Sequence, residues 1–300
     1  MESIAQKLNR FYSLIENYKE GARDTRYKSW EWCHKAFLDH KDLYRTATEE
    51  KKKEIVELLS LHLAFYLASW GMYRGSSYLL QRDYKAHKTA VCKILKPTYD
   101  LLWDYEPKEK NVEEANQLLF HQENGIYWIV KNSYDDCDEE DEDVDLASST
   151  LTTKILMGTF GCIPAFDRYL KSGIQLYQSK HKVDKKCVIS GYKLTQNIET
   201  GKSNEAFRAL AMLAIQHRNE FKIVGSDLYY PAMKCVDMYF WEIGYELDLA
   251  KGLLNGNNGE VKKEKLLDQA IKMGLCDSNC TLLNVHDAVK QILEKNGVQD

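Results

Sequence analysis

The sequence has few of the residues that break helices, with only four prolines and 16 glycines among 300 residues. Proline disrupts helix interiors and glycine weakens them, so a chain poor in both favours helices over a loop-rich or all-β architecture. It also has no apolar run of about 18 residues, the length that a membrane span needs. The N-terminal residues carry charge throughout, unlike a secretory signal peptide. We therefore expect a soluble cytoplasmic protein with no membrane segment.

Charge and cysteine usage exclude two further classes. The formal net charge of −4 does not fit a generally basic nucleic-acid coat. The eight cysteines are scattered, whereas a secreted disulfide scaffold is shorter and denser in cysteine, so we expect a reducing compartment. The one close pair, Cys276 and Cys280, has His286 downstream, but no fourth ligand stands nearby. We predict no metal site and interpret the pair as buried thiols at a turn between helices.

Apolar residues recur at helical spacing through most of the chain, which predicts a mainly α fold. Amphipathic helices are expected at about 2–19 and 27–44. Thr48 is expected to cap the next helix, because Glu49 and Glu50 follow it, and that helix becomes apolar all round towards Trp70. A further helix, perturbed at Pro97, is expected from about 76 to 105. At most one short β-hairpin is predicted, at about 183–195.

The clearest break in composition is DDCDEEDEDVD, residues 135–145, with nine acidic side chains in eleven positions. A run of like charges repels itself and buries no apolar surface, so it is expected to be solvated. We predict a multi-helix bundle in two lobes around it. The predicted units are an N-terminal helical lobe, an acidic linker, a second helical lobe and a small C-terminal helical extension (1–134, 135–149, 150–254 and 255–300).

One short motif raises an enzymatic alternative. The sequence RDYKAH, residues 82–87, places Arg82 and His87 at the spacing of an Arg-x4-His motif. It resembles the motif of the helical nucleases called HEPN domains. The resemblance covers six residues and implies a metal-independent RNase, in which His87 is the general acid or base, Arg82 stabilises the phosphate and Asp83 orients one of them. The alternative without chemistry is a solvated helix face with salt bridges, which we favour.

No cofactor is predicted. Residues 199–206 contain Gly-Lys-Ser at the start of a helix, which is a feature of phosphate-binding loops. Such a loop needs a glycine five residues before Gly201, and that position is Gln196. No strongly apolar strand leads into this stretch either, so we reject nucleotide binding of that type.

The acidic run has two interpretations, a solvated linker or a flexible polyanion that occupies a basic groove in a nucleic-acid-binding partner. In the second interpretation the contacts to the partner are made by the carboxylates, while the chain itself binds no nucleic acid directly. The candidate partner-binding residues are Asp135, Asp136, Asp138, Glu139, Glu140, Asp141, Glu142, Asp143 and Asp145.

Two blocks, LHLAFYLASWGMYRGSSYLLQRDYKAH (61–87) and TLTTKILMGTFGCIPAFDRYLKSG (150–173), resemble segments of an uncharacterised family from bacteria and their phages, and a chain that a phage encodes is expected in the host cytoplasm. Together they cover about a sixth of the chain. The chain is similar to the phage inhibitors of the Gabija anti-phage defence system. The resemblance implies a non-enzymatic protein that oligomerises around a nuclease-containing defence complex and prevents DNA binding and cleavage. A helical scaffold with another protein partner is the remaining alternative.

Overall fold

The structure is a computed structural model that describes residues 2–16, 26–75, 77–134, 147–180, 205–223 and 228–298. Across these ranges the chain forms α-helices and short 3-10 helices and contains no β-strand. The predicted fold class, a mainly α multi-helix bundle, is confirmed. The hairpin predicted at 183–195 lies outside the described residues.

The helices follow one another with short connections. The α-helices are α1 (Ile4–Glu16), α2 (Lys28–Thr46), α3 (Glu49–Ser69), α4 (Lys88–Ile94), α5 (Val112–Phe120), α6 (Ile126–Asn132), α7 (Ser149–Thr159), α8 (Arg168–Lys180), α9 (Glu205–Gln216), α10 (Ala232–Leu254), α11 (Glu260–Lys272) and α12 (Val285–Lys295). The 3-10 helices are Tyr84–His87, Pro97–Leu102 and Leu282–Asn284.

Two of the helix starts show why the sequence folds as it does locally. The Thr48 side chain accepts a hydrogen bond from the Lys51 backbone N–H, and Glu49 and Glu50 stand in the first turn of α3. Side-chain capping and acidic residues both stabilise a helix N-terminus, so the predicted cap is confirmed. Ser148 caps α7 in the same way, because its hydroxyl accepts from the Leu151 backbone N–H.

The middle of the molecule is formed by α7 and α10. Every residue of α7 from Leu151 to Thr159 is buried, and α10 is buried almost continuously from Ala232 to Gly244. The α8 and α10 backbones approach closely where each helix has a glycine. A Cβ atom added at Gly173 would lie 2.0 Å from the Phe240 carbonyl oxygen, and one added at Gly244 would lie 2.0 Å from the Tyr169 carbonyl oxygen.

The described parts of the two predicted lobes share one hydrophobic core. The Trp30 indole N–H on α2 donates to the Met157 carbonyl of α7 at 2.9 Å. This bond joins a residue that precedes the acidic run in the sequence to one that follows it. The end of α10 packs with α11 and α12 around a second, smaller core that includes Leu253, Leu267 and Ile292. The division of the chain into two lobes stays a prediction.

The helix predicted from about 76 to 105 is wrong in its extent. Residues 77–83 form turns, Asp83 caps the 3-10 helix Tyr84–His87, and α4 ends at Ile94 before a second 3-10 helix that starts at Pro97. An aspartate that bonds to a nearby backbone N–H favours a turn or a cap, and proline cannot continue a helix. None of the described helices is long and apolar enough to cross a membrane.

Candidate functional site

His87 lies in the core, between two tyrosine hydroxyls, and none of its surface is exposed. Its Nε2 atom is 2.7 Å from the hydroxyl of Tyr73, and its Nδ1 atom is 2.7 Å from the hydroxyl of Tyr134. A neutral imidazole has one donor and one acceptor nitrogen, so one tyrosine donates to the ring and the other accepts from it. Both nitrogens of His87 are therefore engaged within the protein.

The surroundings hold this group of three side chains in the neutral state. Burial lowers the pKa of His87 to about 4, although the charge of Asp83 acts in the opposite direction. Burial also raises the pKa of Tyr73 to about 12 and raises that of Tyr134 well above its usual value. A general acid or base works best with a pKa near the operating pH, and none of these groups meets that condition near neutrality.

Arg82 and Asp83 do not join His87 in a common site. The Arg82 guanidinium stacks over the Tyr78 ring, 4.2 Å from its centroid. Asp83 is exposed, and its Oδ1 atom accepts from the Lys85 backbone N–H at 2.8 Å. The RNase alternative needs Arg82 and His87 to converge on an open cleft, and the complete burial of His87 contradicts that requirement. The solvated helix face is also wrong for His87, because the motif lies on a turn and a 3-10 helix whose last side chain points inward.

The acidic candidates, residues 135–145, lie outside the described residues, and the structure describes the chain on either side of them. Tyr134 is 1% exposed and is bonded to His87. Ala147 is fully buried, and Ser148 caps α7. The last described residue before the run and the first described residue after it are therefore both part of the hydrophobic core.

Cys276 and Cys280 are both buried, as expected, whereas His286 is exposed. Burial and the neighbouring Cys280 raise the pKa of Cys276 to about 11. Within the ranges that the structure describes, no group of three or more His, Cys, Asp or Glu side chains is arranged to hold a metal ion.

A buried ionic network between α1 and α10 was not predicted from the sequence. Lys7 Nζ lies 2.7 Å and 2.9 Å from the two carboxylate oxygens of Glu246, and Arg10 Nη2 lies 2.5 Å from its Oε1. Arg10 also donates through Nη1 to Glu242 Oε1 at 2.8 Å and makes two bonds to Glu2. These ionic bonds hold α1 against α10.

The two glutamates of this network have different surroundings. Glu246 accepts a further bond from the Asn296 amide at 2.5 Å, which extends the network to the end of α12. Glu242 Oε2 has no hydrogen-bond partner among the described residues. Burial, followed by the charge of Glu246, raises the pKa of Glu242 to about 8, against the opposing charges of Arg10 and Lys7. The raised pKa favours the protonated form of Glu242, and one proton on Glu242 makes the network of three carboxyls and two cations electrically neutral.

A second histidine, His34 on α2, also lies in the core. Its Nδ1 atom faces the Thr159 carbonyl oxygen at 2.7 Å, and its Nε2 atom faces Asp104 Oδ1 at 2.9 Å. A carbonyl oxygen only accepts, so Nδ1 donates to Thr159. Both ring nitrogens of His34 thus have partners within the protein, a buried carbonyl and the partly exposed carboxylate of Asp104. The ring also stacks on Trp30 at 4.8 Å, which fixes its orientation.

Comparison of the chain with known proteins found no matching family, no matching curated protein and no matching solved structure.

Proposed function

We propose that this chain acts by binding another protein, as an inhibitor of a nuclease-containing bacterial defence complex of the Gabija type. The observation that carries the proposal is the acidic run, residues 135–145, together with the buried positions of Tyr134 and Ala147 on its two sides. The chain joins a dense negative charge to a helical scaffold at two fixed points. A polyanion held in this way competes with DNA for a basic groove.

The electrostatics of such a competition are favourable. Nine carboxylates in eleven positions give a charge density that complements a surface built to bind phosphates. Complementary charge speeds encounter and directs the partner to one orientation, and salt weakens both effects. The resemblance to phage inhibitors of Gabija supports the choice of a nuclease complex as partner, and the burial of His87 removes the observation that favoured an RNase.

The first experiment is an affinity pull-down of the tagged full-length chain from bacterial lysate, with and without nuclease treatment, read by mass spectrometry. Recovery of a stoichiometric nuclease-containing defence complex after nuclease treatment is the expected result. Recovery of RNA with no protein would contradict the proposed function.

A matched pair of variants then tests the mechanism on the purified complex. The first variant neutralises part of the run: Asp138→Asn, Glu139→Gln, Glu140→Gln and Asp141→Asn. The control neutralises four exposed acidic residues of the C-terminal helices: Glu260→Gln, Glu264→Gln, Asp268→Asn and Asp287→Asn. Both change the net charge equally. We expect the first alone to lose about tenfold or more in affinity at low salt and to flatten the salt dependence. Equal losses in both would refute a role for the run and leave only a non-specific charge effect.

A further inference from the structure

The outward face of α3 carries a regular row of exposed apolar side chains. From Glu54 to the end of the helix, the exposed residues are Glu54, Leu58, Leu61, Phe65 and Ala68. Leu58, Leu61 and Phe65 are 38%, 47% and 60% exposed. We call Leu58, Leu61, Phe65 and Ala68 the α3 outer stripe. The opposite face of the same helix is buried in the core through residues such as Leu59 and Leu63.

The spacing of the stripe is that of a helix-pairing seam. Its members follow one another at intervals of three, four and three residues, the alternation by which one helix packs along another. A helix on the surface of a globular domain normally turns polar side chains outward. Here large apolar side chains face outward with the spacing of a seam, which indicates a second helix packed along α3.

The stripe is complementary to itself. Its spacing of three, four and three reads the same in both directions, so a second copy of α3 running antiparallel presents matching positions. In that arrangement Leu58 meets Ala68 of the second copy, and Leu61 meets its Phe65. Each layer joins a larger and a smaller side chain. A two-fold axis relates the two copies, which is the commonest symmetry of protein dimers.

The charges beside the stripe agree with the same arrangement. Residues 57 and 64 lie seven apart on α3 and follow one edge of the stripe, and Gly71 and Arg74 follow the end of the helix at Ser69. Glu57 stands at one end of this edge, with its side chain 39% exposed and paired with Lys88. At the other end, the Arg74 side chain folds over Gly71, since a Cβ atom added at Gly71 would lie 2.5 Å from Arg74 Nε. Antiparallel pairing brings each Arg74 beside Glu57 of the other copy.

From these observations we infer that the α3 outer stripe is the contact surface of an antiparallel dimer of this chain. The inference goes beyond the proposed function and does not depend on it, because the stripe and the acidic run occupy different parts of the chain. A chain that dimerises but binds no nuclease complex would refute only the proposed function. A monomeric chain that inhibits such a complex would refute only the dimer.

Sedimentation equilibrium of the full chain from about 1 to 100 μM tests the dimer, since association depends on protomer concentration. Phe65→Glu is expected to raise the dissociation constant about tenfold or more, because it places a charge at the most exposed apolar position of the stripe. Leu283→Glu is the matched control, since Leu283 is fully exposed in the C-terminal region, outside the stripe. Far-UV circular dichroism checks that both variants fold. A wild-type chain that is monomeric throughout this range would overturn the inference.

Cysteine cross-linking tests the antiparallel orientation. In the dimer, positions 58 of the two copies are separated by ten residues along the helix axis, or about 15 Å. A disulfide needs Cα atoms about 4.4–6.8 Å apart. Leu58→Cys alone and Ala68→Cys alone should therefore give no covalent dimer on oxidation, whereas the double variant should give one. Oxidation of the wild-type chain is the control for cross-links through the native cysteines. A covalent dimer of the Leu58→Cys single variant would mean parallel helices and would contradict the inference.

Discussion

Replacing Glu242 by glutamine should stabilise the protein, and increasingly so as the pH rises. The Glu242 side chain is fully buried on α10, where it accepts one hydrogen bond from Arg10 and has a pKa raised to about 8. Glutamine has the same shape as the protonated acid and keeps the acceptor for Arg10. The variant therefore preserves the neutral form that the folded protein holds and removes the proton equilibrium.

The sign and size follow from proton linkage. The pKa of Glu242 rises from 4.5 when unfolded to about 8 when folded, so the folded state binds the extra proton between these values. Stability falls with pH wherever the folded state binds more protons than the unfolded state. Each pH unit inside this window costs the wild type about 1.4 kcal/mol, which amounts to about 3 kcal/mol at pH 7 and about 4 kcal/mol at pH 8, where half of the folded molecules have also lost the proton. The variant does not lose this stability.

Urea denaturation followed by tryptophan fluorescence at several pH values between 4.5 and 8 measures the effect. The difference in unfolding free energy between Glu242→Gln and wild type reports the titration of Glu242 together with its coupling to Glu246, because the titrations outside this pair are common to both chains. We expect the difference to be near zero at pH 4.5 and to grow steadily with pH. A difference that stays constant across this range would refute the reasoning.

Glu246→Gln is the contrasting variant, because it lies one helical turn away in the same network. Glu246 accepts bonds from Lys7, Arg10 and Asn296, so the loss of its charge leaves Lys7 buried without a full counter-charge. Removing one partner of a buried ion pair lowers the free energy of unfolding by about 3–5 kcal/mol. The same denaturation experiment should therefore show opposite signs for two glutamates four residues apart.

Three further substitutions probe other parts of the fold. Gly173→Ala should lower the melting temperature by several degrees in calorimetry, because its Cβ would lie 2.0 Å from a backbone oxygen of α10, whereas Gly256→Ala, which meets nothing within 4 Å, should not. Burial lowers the pKa of His87, so unfolding of the wild type takes up a proton between pH 6.5 and 4, and its unfolding free energy falls by about 1.4 kcal/mol for each pH unit of acidification. His87→Gln should lack this loss when urea denaturation is repeated across the same pH range. Asp167→Asn should destabilise by about 3–5 kcal/mol in urea denaturation, since it leaves Lys154, 3.0 Å away and buried, without its counter-charge.

Local patterns in the sequence predicted local structure well. The mainly helical class, the cap at Thr48 and the helix-spaced core of α1 to α3 depend on residues within one or two turns of each other. The buried network could not be predicted in this way, because Lys7 and Glu246 are 239 positions apart and no periodicity joins them. A signal was present in Glu242 and Glu246, two acids one turn apart in an aromatic-rich helix, but it did not identify their partners.

The motif around His87 shows why a polar residue in an apolar stretch is ambiguous. Such a residue must face a pocket, the solvent or a buried partner, and the sequence does not distinguish these cases. The partners that decide the case for His87 are Tyr73, 14 positions before it, and Tyr134, 47 positions after it. Their hydroxyls use both ring nitrogens, so His87 is held in the core as a neutral polar side chain. The same contact fixes Tyr134, the last described residue before the acidic run. The residue first considered for catalysis therefore helps to hold the part of the core that directly precedes, in the sequence, the segment to which we assign binding.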